Sequence, residues 1–256
     1  MPMTTRPNLT AITQSAEFYR RSLVLATEVA QASDVGQVTA ILAEAAGVLG
    51  ADAAAFASFV KADADHASYR FILACDPTWC LEYDQKALYL YDPWLAYVRR
   101  SSQPTLTSNI PARTPKELEF VALATKSGFR SAVIVPALAP QGLTRIGALC
   151  LGSDDANRFD DEALPIVLNA ATALALRLHE WQIWRLRQDW LDEVQLSTDE
   201  LFLLQEERMG HRSKHTAAVL NLTPMTVDSR WQRLNAKMGV PSRQAAAQVA
   251  AEYGLI

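Results

Sequence analysis

Apolar positions change period several times along the chain, and each change marks an element. Over residues 11–32 and 34–50 they recur at three- and four-residue steps, the second run opening on Asp34 with Val35, Val38, Ile41, Leu42 and Ala45 apolar. That spacing predicts two amphipathic helices. Residues 53–60 and 68–74 read instead as a β-hairpin about the polar turn Ala62-Asp63-Ala64-Asp65-His66. Two Asp-Pro pairs, Asp76-Pro77 and Asp92-Pro93, each open a helix; the first carries Trp79 and Tyr83 one turn apart on one face, and the second is short and runs through Arg100. Beyond Pro104, Pro111 and Pro115, a helix over residues 116–127 stops at Gly128. Residues 131–138 and 145–151 are strand-like runs about Pro140-Gln141-Gly142, and a long helix starts at Asp160 or Asp161 and reaches Trp184. Helix pairs flanking an antiparallel sheet make an α+β fold, an α/β/α sandwich over residues 1–184 with one sheet face available for a small-molecule cavity. The polar stretch 185–196 reads as a linker to a small all-α domain over residues 197–256.

Within that last domain, two helices meet at a tight turn. The first carries Thr216, Ala217 and Leu220 inward and stops at Asn221-Leu222; the second starts with Thr223 as N-cap and Pro224 at its first position. Val227, Trp231, Leu234 and Met238 fall at i, i+4, i+7 and i+11 and form one apolar stripe, which leaves Asp228, Ser229, Arg230, Gln232 and Arg233 pointing elsewhere. A helix-turn-helix that presents its second helix to a DNA major groove has this layout. So does an ordinary amphipathic helical hairpin with a solvated basic face, and the pattern alone leaves both open. Charge adds weight to DNA. Between Arg208 and Arg243 the basic residues Arg208, Arg212, Lys214, Arg230, Arg233, Lys237 and Arg243 face only Asp228, in a chain whose formal net charge is −4. A locally positive face on an acidic protein suits phosphate contact.

Length and composition exclude several classes. A chain of 256 residues suits two domains at roughly 100–200 residues each. Half hydrophobic and one fifth charged, it has the composition of a soluble globular protein. Apolar runs such as 131–140 and 170–176 fall short of the ~20 residues of a membrane span, and no apolar stretch opens the sequence as a signal peptide would. Cys75, Cys80 and Cys150 are odd in number and lack CxxC spacing, which fits reduced thiols in a cytoplasm. There is no GxSxG, P-loop or GxGxxG motif, so no enzyme is expected. His211 and His215 have the i, i+4 spacing of a zinc helix, but no Glu follows His211 and no third ligand is evident; they read as flanking a phosphate, with no metal expected. Asp154, Asp155, Asp160, Asp161 and Glu162 read as a solvated turn and helix start.

Trp79, Tyr83 and Asp92 combine apolar bulk with hydrogen-bonding ends near one sheet edge. By themselves they fit core aromatics and a helix N-cap, or a polar grip on a ligand.

From Leu196 to Ile256 the chain resembles the DNA-binding domain of LuxR-type transcription regulators. The matches include Leu196-Ser197, Glu200, Leu204, Gly210, Ala217, Leu220, Thr226-Val227, Leu234, Lys237-Met238-Gly239-Val240, Arg243, Ala246 and Gly254-Leu255-Ile256, at the family's spacing without a gap. It departs from the family at His215-Thr216, Arg208 and Arg230. The first domain resembles the family's acyl-homoserine-lactone-binding domain through Trp79, Tyr83 and Asp92-Pro93, the run Gly128 to Pro136, and Leu149-Cys150-Leu151. The resemblance implies a cytoplasmic quorum-sensing regulator, with no cofactor, that takes a small-molecule autoinducer and, as a homodimer, a near-palindromic double-stranded DNA site. It implies that the Trp79 indole donates to the lactone carbonyl, the Tyr83 hydroxyl donates to the acyl carbonyl, and Asp92 accepts from the amide N–H. Cys75, Thr107, Ala132 and Cys150 stand where the family commonly has Tyr, Trp, Gly and Ser or Thr, and the smaller Cys75 and Thr107 imply a roomier pocket. Asp228, Ser229, Arg230, Gln232 and Arg233, with Lys214 and Lys237, become the DNA-contacting set, and the alternative is a partner regulator that acts by heterodimerisation. The long helix from Asp160 and the last helix, through Ala245, Ala246, Val249 and Ala250, are the expected dimer surfaces.

Overall fold

The computed structural model describes residues 6–60, 68–138 and 145–256. The chain divides into two compact units, one ending at Trp181 and the other beginning at Gln182. The two expected turns at 62–66 and 140–142 lie outside the described residues.

In the first unit the helical run near the N-terminus is split: α1 (Leu9–Thr13) gives way to α2 (Ala16–Val29) because Ser15 turns extended and its hydroxyl accepts from the Phe18 N–H. Asp34 caps α3 (Val35–Val48) through the Gln37 N–H. Strands β1 (Ala53–Val60) and β2 (Arg70–Ala74) pair antiparallel, as a hairpin would. After α4 (Pro77–Gln85) and α5 (Pro93–Val98) comes β3 (Thr105–Leu106), an edge strand too short to leave a period in the sequence. Then follow α6 (Pro115–Lys126), with a reciprocal Thr114–Glu117 capping box, β4 (Ser131–Ala137) and β5 (Arg145–Ser153). The sheet runs β2-β1-β5-β4-β3, antiparallel throughout.

Strand alternation sends the two sets of side chains to opposite cores. Ala54, Phe56, Val133, Val135, Leu149 and Leu151 pack with α2, α3 and α7 (Leu164–Val194), whereas Ala57, Phe59, Ala132, Ile134, Ala148 and Cys150 pack with α4, α5 and α6. The α/β/α sandwich is thereby complete. Gly152, on β5, lies under Phe129: a Cβ there would run into the Phe129 ring and sit 2.6 Å from the Gly128 carbonyl oxygen. Gly152→Ala is therefore expected to destabilise this unit by about 1–3 kcal/mol in urea unfolding, because the obstruction is partly backbone.

Two boundaries differ from expectation. Helix α7 begins at Leu164, since Asp161 is occupied in accepting from the Ala163 N–H and the Thr10 hydroxyl. It also continues past Trp184 to Val194, so residues 185–194 are helix where a linker was expected. Leu186, Trp190 and Val194 carry an apolar stripe on at i, i+4, i+8, and Trp190 is buried in the second unit's core, stacked on Tyr253.

Among the described residues the second unit is all helical: after the end of α7 come α8 (Thr198–Arg208), α9 (Ser213–Val219), α10 (Pro224–Met238) and α11 (Arg243–Glu252). The turn between α9 and α10 is tight because Asn221 takes a left-handed conformation, after which the Thr223 hydroxyl accepts from Thr226 N–H and Pro224 occupies the first helical position. Val227, Trp231 and Leu234 are buried as their period predicts. Of the α11 residues expected to pair two chains, Ala246 and Ala250 are fully buried in the unit's own core, while Ala245 and Val249 are partly exposed.

Candidate functional site

The second sheet face is floored by small side chains. Register places Ala55 opposite Cys150, Ala57 opposite Ala148, and Ile134 on the other side of Cys150. Small residues at alternate positions of two neighbouring strands leave space above the sheet, and aromatic side chains from α4, α5, α6 and their flanks enclose it. The result is a cavity of about 510 Å³, its open mouth included, whose walls include Trp79, Tyr83, Asp92, Trp94, Phe120 and Phe129. Trp94 meets Phe120 edge to face at 4.9 Å between ring centres, and Trp79 lies 5.6 Å from Tyr83 and 5.8 Å from Phe120. Such contacts hold the rings in place beyond their burial alone.

One end of this apolar space is polar. Asp92 is the N-cap of α5, its Oδ1 accepting from the backbone N–H groups of Trp94 at 2.8 Å and Leu95 at 3.1 Å. The Tyr83 hydroxyl donates to Oδ2 at 2.8 Å. Burial raises the carboxyl pKa to about 6, against the pull of those three hydrogen bonds. A carboxylate has about four acceptor positions. Three are taken here, which leaves one for a donor in the cavity. Among the described residues the Trp79 indole N–H makes no hydrogen bond, so the same region offers one unused donor. Cys150, on the floor, is held as a neutral thiol because burial raises its pKa well above the ordinary value.

Of the seven residues expected at the ligand, Trp79, Tyr83, Asp92 and Cys150 line the cavity. Cys75, Thr107 and Ala132 do not. Thr107 follows the edge strand and its hydroxyl donates to the Ala132 carbonyl, while Ala132 is packed into the surrounding core and Cys75 borders it. The extra room expected from Cys75 and Thr107 is thus not cavity space. The expected role of Tyr83 also changes, since its one hydroxyl proton is engaged by Asp92 and not free for a ligand carbonyl. Phe71, Leu73, Trp94, Leu95, Phe120, Phe129 and Ile134 line the space without having been singled out. Ala55 and Ala57, small residues at alternate positions of β1, were the available signal for a floor; of the enclosing aromatics the sequence marked only Trp79 and Tyr83.

In the second unit, α10 presents Ser229, Gln232 and Arg233 to solvent, with Lys214 exposed on α9. Other members of the expected DNA-contacting set are bonded within the unit. Asp228 accepts from the Ser213 hydroxyl at 2.7 Å and Arg243 at 2.6 Å. Arg230 pairs with Asp199 at 2.8 Å, and Lys237 with Glu200 at 2.8 Å. The Ser229 hydroxyl donates back to the Met225 carbonyl.

Comparison with known proteins places these features. The fold is similar to the crystal structure of Escherichia coli SdiA, with a TM-score of 0.72, 17% identity, and coverage of 93% of this chain and 99% of that one. SdiA in complex with octanoyl-rac-glycerol gives a TM-score of 0.68 at 17% identity, covering 94% and 98%. CepR2 from Burkholderia cenocepacia, an N-acylhomoserine lactone-dependent LuxR family transcription factor, gives 0.56 at 16% identity, covering 67% of this chain and 99% of that one. At such identities the likeness is one of fold. No curated protein sequence matches the chain. The model of the autoinducer-binding domain matches residues 34–181, the stretch that carries the sheet, α4 to α6 and the cavity. That match spans more than half of the 256 residues, and the chain belongs to the autoinducer-binding domain family.

Proposed function

We propose that this chain is a cytoplasmic transcription regulator of quorum-sensing type, which takes an amphipathic acyl signal into the cavity and binds DNA through its second unit. The observation that carries the reading is the polarity of the cavity: aromatic walls for an acyl chain, with an unused indole donor and a carboxylate with one spare acceptor position. An acyl-homoserine lactone supplies carbonyls to Trp79 and an amide N–H to Asp92, and Tyr83 holds Asp92 in place. A monoacylglycerol, the class bound by the SdiA complex, would offer O–H in place of N–H. No cofactor enters this reading. The bound homodimer would set two copies of α10 in successive major grooves about 10 base pairs apart on a near-palindromic site.

A melting series against N-acyl-homoserine lactones of graded acyl length and 1-octanoylglycerol tests the signal half. A ligand at a hundred times its Kd stabilises the native state by about 2.7 kcal/mol, a rise of several degrees in Tm. An unmoved Tm across the whole series would remove the signal-binding reading.

A second reading, a partner regulator that acts by heterodimerisation, is favoured by the internal bonds of Asp228, Arg230 and Lys237. Selection from random duplex DNA separates the two. An enriched inverted repeat whose preference relaxes at one position in Gln232→Ala supports direct base reading; no enrichment supports the partner.

A further inference from the structure

We infer that the turn between α8 and α9 is a binding site for a divalent transition-metal ion of the zinc class, ligated by Glu206, His211 and His215. The sequence offers two histidines one helical turn apart but no third ligand beside them; the turn supplies it. Helix α8 ends in a paired C-terminal cap, in which Gly210 adopts φ +77, its N–H bonds the Glu207 carbonyl at 2.9 Å, and the His211 N–H bonds the Glu206 carbonyl at 3.0 Å. This folds His211 back over Glu206, and α9 then brings His215 to the same place.

The donor atoms are spaced for an ion. His211 Nδ1 lies 3.2 Å and His215 Nε2 3.6 Å from Glu206 Oε2, and the three atoms are all within 4.8 Å of one another. Zinc bonds of about 2.0–2.2 Å to nitrogen and oxygen set tetrahedral neighbours about 3.3–3.5 Å apart, between those two distances. Two further observations point to a ligand. Glu206 is only 5% exposed, a buried carboxylate with both imidazoles within 4 Å of its Oε2. His211 Nδ1 is itself buried and makes no hydrogen bond despite its nearness to Oε2. Atoms that are close yet out of line for a hydrogen bond are arranged as joint donors to a third centre. The Thr216 hydroxyl donates to the same Oε2 at 3.3 Å and so helps hold the carboxylate in place, as outer partners of metal ligands do. A half-exposed His215 leaves the fourth position to water. The bound ion would pin the end of α8 to α9 and stabilise the second unit, whether or not that unit binds DNA.

The test is titration of the chelator-stripped full chain with Zn2+, read by melting, together with Co2+ absorption as a report of tetrahedral nitrogen and oxygen ligation. One Zn2+ per chain and a raised Tm are expected. Binding should weaken at least tenfold in His215→Ala, whose side chain is at the surface and leaves the fold intact, and in Glu206→Gln, and should be unchanged in Cys75→Ser. No Tm rise with Zn2+ would overturn the inference. So would a rise that survives His215→Ala, or one that Cys75→Ser removes, since the ion would then sit elsewhere.

Discussion

Asp92→Asn is expected to weaken binding of an N-acyl signal by about one to two decades without weakening the fold at neutral pH. The amide can keep an oxygen on the Trp94 and Leu95 N–H groups, so α5 retains its cap. Its NH2 group, however, presents donors where the carboxylate had an acceptor left for a ligand N–H. A charge-assisted hydrogen bond of about 1.5–3 kcal/mol is lost, which sets the expected decades in Kd. Stability moves the other way with pH. Burial raises the carboxyl pKa from 3.8 to about 6, so the native state holds this proton more tightly than the unfolded chain does. The resulting stabilisation is fully present below the unfolded pKa and is lost as pH rises through about 6. The loss amounts to at most about 3 kcal/mol, and the amide variant does not suffer it. Urea unfolding of both proteins between pH 4 and pH 7 should show the difference moving in favour of the variant. Signal affinity of the parent chain should rise over the same interval, and that of the variant should stay flat. Equal affinities at pH 7 would take Asp92 out of the binding set.

The second large effect is expected in the other unit. Trp231→Ala should destabilise the second unit by about 3–5 kcal/mol, enough to unfold a unit of this size. The indole is 3% exposed at the centre of a core formed with Val227, Leu234, Leu203, Leu204, Ala246 and Ala250. The Arg243 guanidinium lies 5.3 Å over the ring, and from there it reaches Ser213 and Asp228. Loss of the ring therefore opens a cavity and frees the arginine that ties three helices. Far-UV circular dichroism should lose the helix signal of α8 to α11 and DNA retention should vanish, while the melting shift with a bound signal persists. A variant with wild-type helix content and DNA retention would mean that the unit does not rely on this core.

Most of the first unit's elements were legible because each rests on local chemistry. Thr114 and Glu117 close a capping box, and Asp34 and Asp92 cap their helices. Misreadings came where distant groups intervened. The polar composition of residues 185–196 masked a helix, because Trp190 finds its partner in Tyr253, more than sixty positions away. Cys75, Thr107 and Ala132 fell off the cavity wall because register and a side-chain bond to the Ala132 carbonyl, not position relative to Trp79, decide which residues face the space.

By itself, the sequence determined the capped starts of α3, α5 and α10 and the apolar stripe of α10, since those depend on neighbours within one or two turns of chain. It also determined that an indole, a phenol and a carboxylate stand at fixed spacing. The tertiary structure alone decided that the phenol is bound to the carboxylate, that Ala55, Ala57, Ala148 and Cys150 come together as a floor, and that Glu206 meets His211 and His215. Pairing register and the path of a turn bring those groups together, and both depend on how the chain packs as a whole.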